Sequence, residues 1–323
     1  MSKTIGVIFD FLNDGYRRTL DAAALKHGYE IRYYPSSAAA DGSVDDCEIL
    51  FGHASQRLLA SAKSLKWYCC CWAGVDRFCK DELYQNPECL LSNSSGAYGV
   101  TIAEHLIMTS LMLLRRQIEY TEIIRAGDWR VLPGGIRSLR DCRVTVLGTG
   151  DVGTEFARRV RAFRPAAVIG VRRSDKPGDP AFDETHATAE LDAVLPRTDL
   201  LVMALPNTPD TVGILDARRM ALLPEGAYVV NVGRGTAVDQ DALIGALDTG
   251  HLAGAALDVV VPEPLPADHP LRKAKNLLLT PHVAGNMTLP YTQRKSIELF
   301  LEDLDNYAAG LPLKRAVDRK RFY

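Results

Sequence analysis

Short apolar runs alternate along the chain with segments whose apolar positions recur every three or four residues. A buried strand produces the first pattern and an amphipathic helix the second. Their regular alternation is typical of parallel βαβ layers, in which each strand is followed by a crossover helix. The pattern therefore predicts the α/β fold class, with parallel sheets.

The predicted strands form two series. The first lies within the first hundred residues and comprises IGVIFD, YEIRYYP, CEILFG, KWYCCCW and CLLSN. The second begins at Arg143–Leu147 and continues with AAVIGV, DLLVMAL, AYVVNV, AGAALDV and NLLLTP. An amphipathic segment from Tyr291 to Ala309 predicts a last helix that returns to the first series. We expect two domains, one of residues 1–100 with 291–323 and one of residues 101–290.

The composition excludes several classes of partner. With 47% hydrophobic and 24% charged residues and a net charge of −2, the chain has no basic excess that would favour nucleic acid or an anionic membrane, so small molecules are the expected ligands. In the segment from Thr101 to Ile118, the longest charge-free apolar run, Leu106 to Leu114, is too short to span a bilayer. The chain opens without a cationic, cleavable leader, which favours a cytoplasmic location. Seven cysteines without metal-ligand spacing predict reduced thiols and no metal.

A glycine-rich segment, Gly148-Thr149-Gly150-Asp151-Val152-Gly153, follows the strand Val144–Leu147 and precedes the helical segment Thr154–Phe163. Glycines in this context let the backbone turn tightly and approach a pyrophosphate, and the helix N-terminus offers unpaired N–H groups to the anion. The segment predicts a Rossmann-like, doubly wound domain that binds a dinucleotide. Its candidate cofactor-binding residues are Gly148, Gly150, Asp151, Val152 and Gly153.

The next strand ends in Arg172-Arg173-Ser174, where a site selective for NAD(H) usually carries an acidic residue. Two guanidinium groups and a hydroxyl suit a 2′-phosphate, because arginine binds phosphate through charge-assisted hydrogen bonds. We therefore expect NADP(H) to be preferred, with NAD(H) possible. The alternative is a solvated basic turn beside Asp175 and Lys176.

Five further segments follow in a fixed order: LPNTPDT from Leu205, NVGRG from Asn231, ALDV from Ala256, PEPL from Pro262 and TPHVAG from Thr280. In this order they resemble, over nearly the whole chain, the D-isomer-specific 2-hydroxy-acid dehydrogenase family, which includes glyoxylate/hydroxypyruvate reductases. The resemblance implies hydride transfer between a nicotinamide cofactor and a small 2-oxo or 2-hydroxy acid, with D specificity. It also implies that Arg234, Glu263 and His282 form the active site. Residues 1–100 with 291–323 would then be the substrate (catalytic) domain and 101–290 the dinucleotide-binding domain, flanking an active-site cleft.

The chemistry of the three side chains agrees with these roles. Arg234 has a fixed fork of donors that suits a substrate carboxylate and can polarise a 2-oxo group. His282 can donate a proton to the oxygen on which negative charge develops, since imidazole titrates near neutrality. Glu263 can accept a hydrogen bond from the other ring nitrogen, which fixes the tautomer and favours imidazolium. Singly, each residue has a plain alternative as a loop cation, a capping acid or a turn histidine.

The same resemblance assigns further residues. Asp258 resembles the position that contacts the nicotinamide carboxamide. The Trp72–Asp76 loop and the Ser95–Gly99 segment resemble the family's substrate loop and the stretch before its interdomain helix. The remaining cofactor candidates are Pro206, Val232, Gly233 and Gly285, and the substrate candidates besides Arg234 are Gly74, Val75 and Tyr98.

The resemblance also implies a homodimer, with contacts through the interdomain helix and the arm from Arg125 to Ile136. Arg172, Pro165 and Val260-Val261 depart from the commoner family pattern, which puts cofactor identity and pocket shape in doubt. Two alternative functions stay open: a dinucleotide-sensing scaffold of the corepressor kind, and an NAD-dependent biosynthetic dehydrogenase of a larger hydroxy acid. The other histidines, for which a solvated or structural role is expected, are His53, His105, His186, His251 and His269.

Overall fold

The structure is a computed structural model that describes residues 3–173 and 178–322. It divides into two compact units, one of Met1–Tyr98 with Asn286–Tyr323 and one of Gly99–Gly285. Each unit is built on a parallel sheet with helices packed against it. The predicted α/β class with two parallel sheets is confirmed.

The first unit contains a five-stranded sheet in the order β2-β1-β3-β4-β5, parallel throughout. The strands are β1 Lys3–Ile8, β2 Tyr29–Tyr34, β3 Cys47–Gly52, β4 Trp67–Cys70 and β5 Leu90–Ser92. The helices are α1 Asp14–Lys26, α2 Ser37–Ala40, α3 Gln56–Ser61 and α10 Pro290–Ala308. The last helix packs on this sheet through Phe300, whose ring stacks on Phe51 at a centroid distance of 4.1 Å.

The second unit contains a seven-stranded parallel sheet in the order β12-β11-β10-β9-β6-β7-β8. The strands are β6 Arg143–Leu147, β7 Ala167–Arg172, β8 Glu184–Ala187, β9 Leu200–Met203, β10 Ala227–Asn231, β11 Leu252–Leu257 and β12 Leu277–Leu279. The helices are α4 Gly99–Leu114, α5 Gln117–Arg125, α6 Asp151–Val160, α7 Leu191–Val194, α8 Ala217–Leu222 and α9 Gln240–Asp248.

Burial on both faces explains why the central strands read as continuous apolar runs. In β10, Val229 and Val230 are both almost fully buried, and they belong to different apolar clusters because successive side chains point to opposite faces. The outer strand β8, with the sequence ETHA, is partly exposed and was not predicted. Within the described ranges, no helix is long and apolar enough to cross a membrane.

The seven cysteines are all buried and none forms a disulfide. Among the residues that the structure describes, no group of three or more His, Cys, Asp or Glu side chains is arranged to hold a metal ion.

Candidate active site

The glycine-rich loop joins β6 to α6 and has the geometry of a tight turn. Gly148 has a φ of +103°, and a Cβ there would lie 2.6 Å from the carbonyl oxygen of Ala204. A Cβ on Gly153 would lie 1.9 Å from the Gly148 carbonyl oxygen, so these two positions require glycine. Around the Cβ position of Gly150, by contrast, no other described residue beyond its neighbours in the chain has an atom within 4 Å. Gly150 thus leaves open space at the start of α6, where phosphate binding stays a prediction.

The first turn of α6 presents backbone N–H groups without intrahelical acceptors, as at any helix N-terminus. Val152 turns its side chain toward the apolar cluster beneath the helix. The Asp151 carboxylate accepts a hydrogen bond from the Gly99 amide at 2.8 Å, so it binds the first residue of α4. The side chains of Asp151 and Val152 are thus engaged within the unit, and cofactor binding by these two residues stays a prediction.

The basic pair lies at the tip of β7. Arg172 is the last residue of that strand and Arg173 follows directly; Ser174 lies outside the described residues. Strand β7 pairs with β6 in parallel, with Val171 opposite Leu147. The two arginines and Gly148 therefore lie at the same edge of the sheet, at the carboxyl ends of these strands. This edge is where open α/β sheets bind ligands.

Arg234 lies in a tight loop after β10. A Cβ on Gly233 would lie 2.6 Å from the Leu205 carbonyl oxygen, and one on Gly235 would lie 2.4 Å from Val260 backbone atoms. The buried Asn231 side chain braces the loop, since it donates to the Arg234 carbonyl at 2.9 Å and accepts from the Gly233 amide at 2.9 Å. Sequence reasoning gave Asn231 no role.

Glu263 and His282 are brought together by two loops, those that follow β11 and β12. His282 Nδ1 lies 2.8 Å from Glu263 Oε2, and Glu263 Oε1 accepts the Val260 amide at 3.0 Å. The side chains are 49% and 37% exposed, so the pair is open enough to meet a small ligand. A carboxylate held at both oxygens and bonded to Nδ1 leaves Nε2 of the imidazole for proton transfer.

Asp258 lies directly after β11 and is only 4% exposed. Its Oδ1 accepts from the Thr280 hydroxyl at 2.6 Å and from the Val283 amide at 2.9 Å, and its Oδ2 accepts the Ala284 amide at 2.9 Å. Its backbone carbonyl accepts the His282 amide at 2.9 Å. The residue expected at the nicotinamide carboxamide thus also holds the turn that carries His282.

Two residues beside this turn were missed by sequence reasoning. Thr280 is the first residue of the TPHVAG segment, and its hydroxyl between a strand end and a proline-histidine pair is the sequence signal that could have identified it. His105, on α4, places Nε2 at 3.4 Å from the Thr280 hydroxyl oxygen. Burial lowers the pKa of His105, and the Asp258 carboxylate opposes that shift. No sequence motif pointed to His105.

The remaining cofactor candidates of the second unit follow neighbouring strands. Pro206 comes after β9, and its carbonyl accepts the Thr211 hydroxyl at 2.7 Å. Val232 comes after β10, and its amide donates to Met203 at 3.0 Å. Gly285 is the last residue of the unit. Pro206 and Val232 therefore lie at the carboxyl edge of the sheet with Gly148.

The substrate candidates Gly74, Val75 and Tyr98 lie in the first unit. Gly74 and Val75 follow β4, and Val75 is buried. Tyr98 is 3% exposed and donates its hydroxyl to the Cys71 carbonyl at 2.8 Å; burial raises the pKa of its hydroxyl. Tyr98 thus supports the loop after β4, and contact with a substrate stays a prediction.

Comparison with known proteins assigns the class. Residues 107–284 match the family described as D-isomer specific 2-hydroxyacid dehydrogenase, NAD binding domain. An uncharacterized protein in the proB 3′ region of Corynebacterium melassecola is 31% identical over 274 residues, which cover 84% of this chain and 88% of the relative. The chain belongs to the D-isomer specific 2-hydroxyacid dehydrogenase family, as the sequence segments indicated, and is an NAD(P)-binding oxidoreductase.

Solved structures agree over the full length. A family member from Aeromonas salmonicida is 30% identical with a TM-score of 0.85, covering 99% of this chain and 100% of that one. A D-isomer specific 2-hydroxyacid dehydrogenase from Xanthobacter autotrophicus, in complex with NADPH and MES, is 29% identical with a TM-score of 0.83 and full coverage of both chains. An NADPH-dependent glyoxylate/hydroxypyruvate reductase from Sinorhizobium meliloti, in complex with NADP and sulfate, is 28% identical with a TM-score of 0.83, covering 99% and 100%.

Proposed function

We propose that this protein is an NADPH-preferring reductase of small 2-oxo acids of the glyoxylate and hydroxypyruvate kind, and that it forms D-hydroxy acids. The observation that carries the proposal is the hydrogen bond of 2.8 Å between Glu263 and His282. Both residues lie in loops that follow strands of the seven-stranded sheet, as do the glycine loop and Arg234. The family acts on small 2-hydroxy and 2-oxo acids, and the imidazole of His282 is a side chain that can donate a proton in their reduction.

The three catalytic candidates divide the chemistry among them. The dinucleotide, when bound, supplies the hydride. Arg234 binds the carboxylate of the acid through its guanidinium fork and polarises the carbonyl. His282 donates a proton from Nε2 to the carbonyl oxygen, while Glu263 holds Nδ1 and stabilises the charged ring. In the oxidative direction His282 takes the proton back.

The preference for NADP(H) rests on the tip of β7. Arg172 and Arg173 end the strand that neighbours the glycine loop, and Ser174 is assigned with them from sequence. Guanidinium groups bind a 2′-phosphate through charge-assisted hydrogen bonds. The Xanthobacter and Sinorhizobium structures contain NADPH and NADP, which supports this assignment. NAD(H) remains a possible second cofactor.

The other assigned residues complete the proposal. Residues 99–285 would bind the dinucleotide, with phosphates at the Gly148–Gly153 loop. Further contacts would come from Pro206, Val232, Gly233, Asp258 and Gly285. In the first unit, the residues assigned to substrate binding are Gly74, Val75 and Tyr98.

We also propose that two copies form a homodimer. The arm after α5 exposes Trp129 by 90% and Val131 by 85%, and Ile124 and Ile136 add further apolar surface. Large apolar side chains exposed together mark interaction surfaces. The family resemblance assigns this arm to contact with a second copy.

A panel of initial rates tests the proposed function. NADPH and NADH are each offered with glyoxylate, hydroxypyruvate, pyruvate and a branched 2-oxo acid, and cofactor oxidation is followed by absorbance. We expect turnover with the two smallest oxo acids and NADPH. Dinucleotide binding without turnover of any acid would instead favour a sensing scaffold, and NADH-dependent turnover of a larger acid would favour a biosynthetic dehydrogenase.

A further inference from the structure

The turn that carries His282 is closed around a buried carboxylate. Thr280 Oγ1 lies 2.6 Å from Asp258 Oδ1, and the Val283 and Ala284 amides bond the two carboxylate oxygens at 2.9 Å each. Asp258 is 4% exposed, so its oxygens depend on these donors in place of water. Thr280 supplies the one side-chain donor of the three.

The backbone at His282 needs such support. Its φ is +55°, in the left-handed region that residues with a Cβ rarely adopt. A conformation of this kind persists where neighbouring contacts over-determine it. Here the His282 amide donates to the Asp258 carbonyl at 2.9 Å. The residues before and after it in the turn, Thr280 and Val283 with Ala284, donate to the Asp258 carboxylate. This conformation directs Nδ1 toward Glu263.

The direction of the Thr280 hydroxyl follows from counting hydrogens. An ionised carboxylate can only accept, so the single hydroxyl hydrogen of Thr280 goes to Asp258. The hydroxyl oxygen can then only accept from His105, whose Nε2 lies 3.4 Å away. A hydrogen bond between the two side chains therefore requires a proton on Nε2 of His105. Burial disfavours the charged ring, which agrees with a neutral Nε2–H tautomer.

We propose that Thr280 is a positioning residue for His282, and that His105 fixes the Thr280 hydroxyl through its Nε2–H. The proposal rests on the proposed role of His282 as proton donor. Without the hydroxyl, Asp258 holds the turn by two amides alone, and the His282 ring loses alignment with Glu263. This slows the chemical step far more than it weakens binding, because Asp258 keeps both of its amide bonds and Arg234 is untouched.

The matched pair Thr280→Val and Thr280→Ser tests the proposal. Valine keeps the shape and removes the hydroxyl, whereas serine keeps the hydroxyl. We expect Thr280→Val to lower kcat about tenfold, the effect of one lost hydrogen bond, with both KM values within about twofold of wild type. Thr280→Ser should retain most of the wild-type kcat. A purely structural role would lower the melting temperature without this division between kcat and KM.

Amide hydrogen exchange gives a readout that needs no activity. The amides of His282, Val283 and Ala284 all donate to Asp258, so their exchange reports how firmly the turn is closed. We expect a peptide spanning 280–284 to exchange faster in Thr280→Val than in wild type, and at the wild-type rate in Thr280→Ser.

A second pair of variants, at His105, tests the proposed bond to Thr280 and remains informative if Thr280→Val does not fold. Glutamine retains an N–H donor, and leucine does not. We expect His105→Leu to speed exchange in the turn and to lower kcat, and His105→Gln to resemble wild type.

The outcomes separate this inference from the proposed function. Wild-type kcat and wild-type exchange in Thr280→Val, or an equal loss in Thr280→Ser, would overturn the positioning role. If wild type turns over no 2-oxo acid but Thr280→Val alone loosens the turn, then the positioning of His282 stands and the proposed reaction falls.

Discussion

Nδ1 of His282 lies 2.8 Å from Oε2 of Glu263, while the other oxygen of that carboxylate accepts the Val260 amide. Both oxygens of the Glu263 carboxylate are therefore held by hydrogen bonds. The carboxylate fixes the orientation of the imidazole and leaves Nε2 for the proposed transfer of a proton to the substrate oxygen.

Replacing Glu263 by Gln removes the charge and keeps the size. We expect kcat for 2-oxo acid reduction to fall about tenfold to a hundredfold, because a neutral amide stabilises the imidazolium less well. Steady-state kinetics at saturating NADPH measures this. Glu190→Gln is a matched control. Like Glu263, Glu190 accepts the amide of the residue three positions earlier, and its Oε1 lies 3.5 Å from Nδ1 of a histidine, His186. Equal losses in the two variants would contradict the role of Glu263.

Gly150 and Gly153 give a second contrast. A Cβ on Gly150 meets no atom of another described residue beyond its chain neighbours within 4 Å, whereas one on Gly153 would lie 1.9 Å from a backbone oxygen. Gly150→Ala should keep the melting temperature of wild type and weaken NADPH binding, because the methyl group occupies space left for the phosphates. Gly153→Ala should lower the melting temperature. Thermal unfolding and NADPH fluorescence titration measure both, and unchanged NADPH affinity in folded Gly150→Ala would count against the phosphate site.

Arg172 and Arg173 are the residues to which we assign the proposed preference for NADPH over NADH. We expect Arg172→Ala with Arg173→Ala to raise the KM for NADPH about tenfold to a hundredfold and to leave the KM for NADH nearly unchanged, because only NADPH carries the 2′-phosphate. Arg140→Ala with Lys275→Ala, at two exposed cations of the same unit, removes the same net charge and is the control. A parallel rise for both cofactors would show that the pair does not recognise the phosphate.

Trp129 tests the homodimer. Its side chain is 90% exposed, and Trp129→Asp should convert the dimer to a monomer because a charge is costly to bury in an apolar interface. Leu25→Asp places the same charge at another apolar residue, 80% exposed, on α1. Light scattering after size exclusion distinguishes the two variants. A wild-type chain that elutes as a monomer would remove the homodimer from the account.

His53 predicts a pH dependence of stability. Burial and the nearby Arg77 lower its pKa from 6.5, while Asp10 opposes the shift. The unfolded chain therefore binds a proton more readily than the folded one, so the contribution of neutral His53 is present above about pH 6.5 and is lost as the pH falls through the folded pKa. His53→Gln should show a smaller drop in melting temperature than wild type on acidification. An identical drop would contradict the sign of the shift.

Much of this molecule could be predicted from its sequence, for physical reasons. Buried parallel strands such as β10 are apolar on both faces, and Gly148 and Gly153 occupy positions that exclude a Cβ, so both features leave strong sequence signals. Strand β8 did not, because its ETHA sequence is polar and partly exposed at the sheet edge.

The positions that the sequence missed depend on contacts between distant segments. Thr280 and His105 meet only in the folded chain, 175 residues apart in sequence, and neither belongs to a periodic pattern. The family resemblance predicted that Asp258 contacts the nicotinamide carboxamide. Its hydrogen bonds to Thr280, Val283 and Ala284 could be found only from the folded structure. Ser174 remains a prediction from sequence alone.

The most direct test of the central claim compares wild type with His282→Ala in the reduction of glyoxylate and hydroxypyruvate by NADPH. We expect turnover in wild type and a fall in kcat of at least about a hundredfold in the variant, with NADPH affinity retained, because only the proton donor is lost. His269→Ala serves as the control histidine. Wild-type kcat in His282→Ala would show that His282 is not the proton donor.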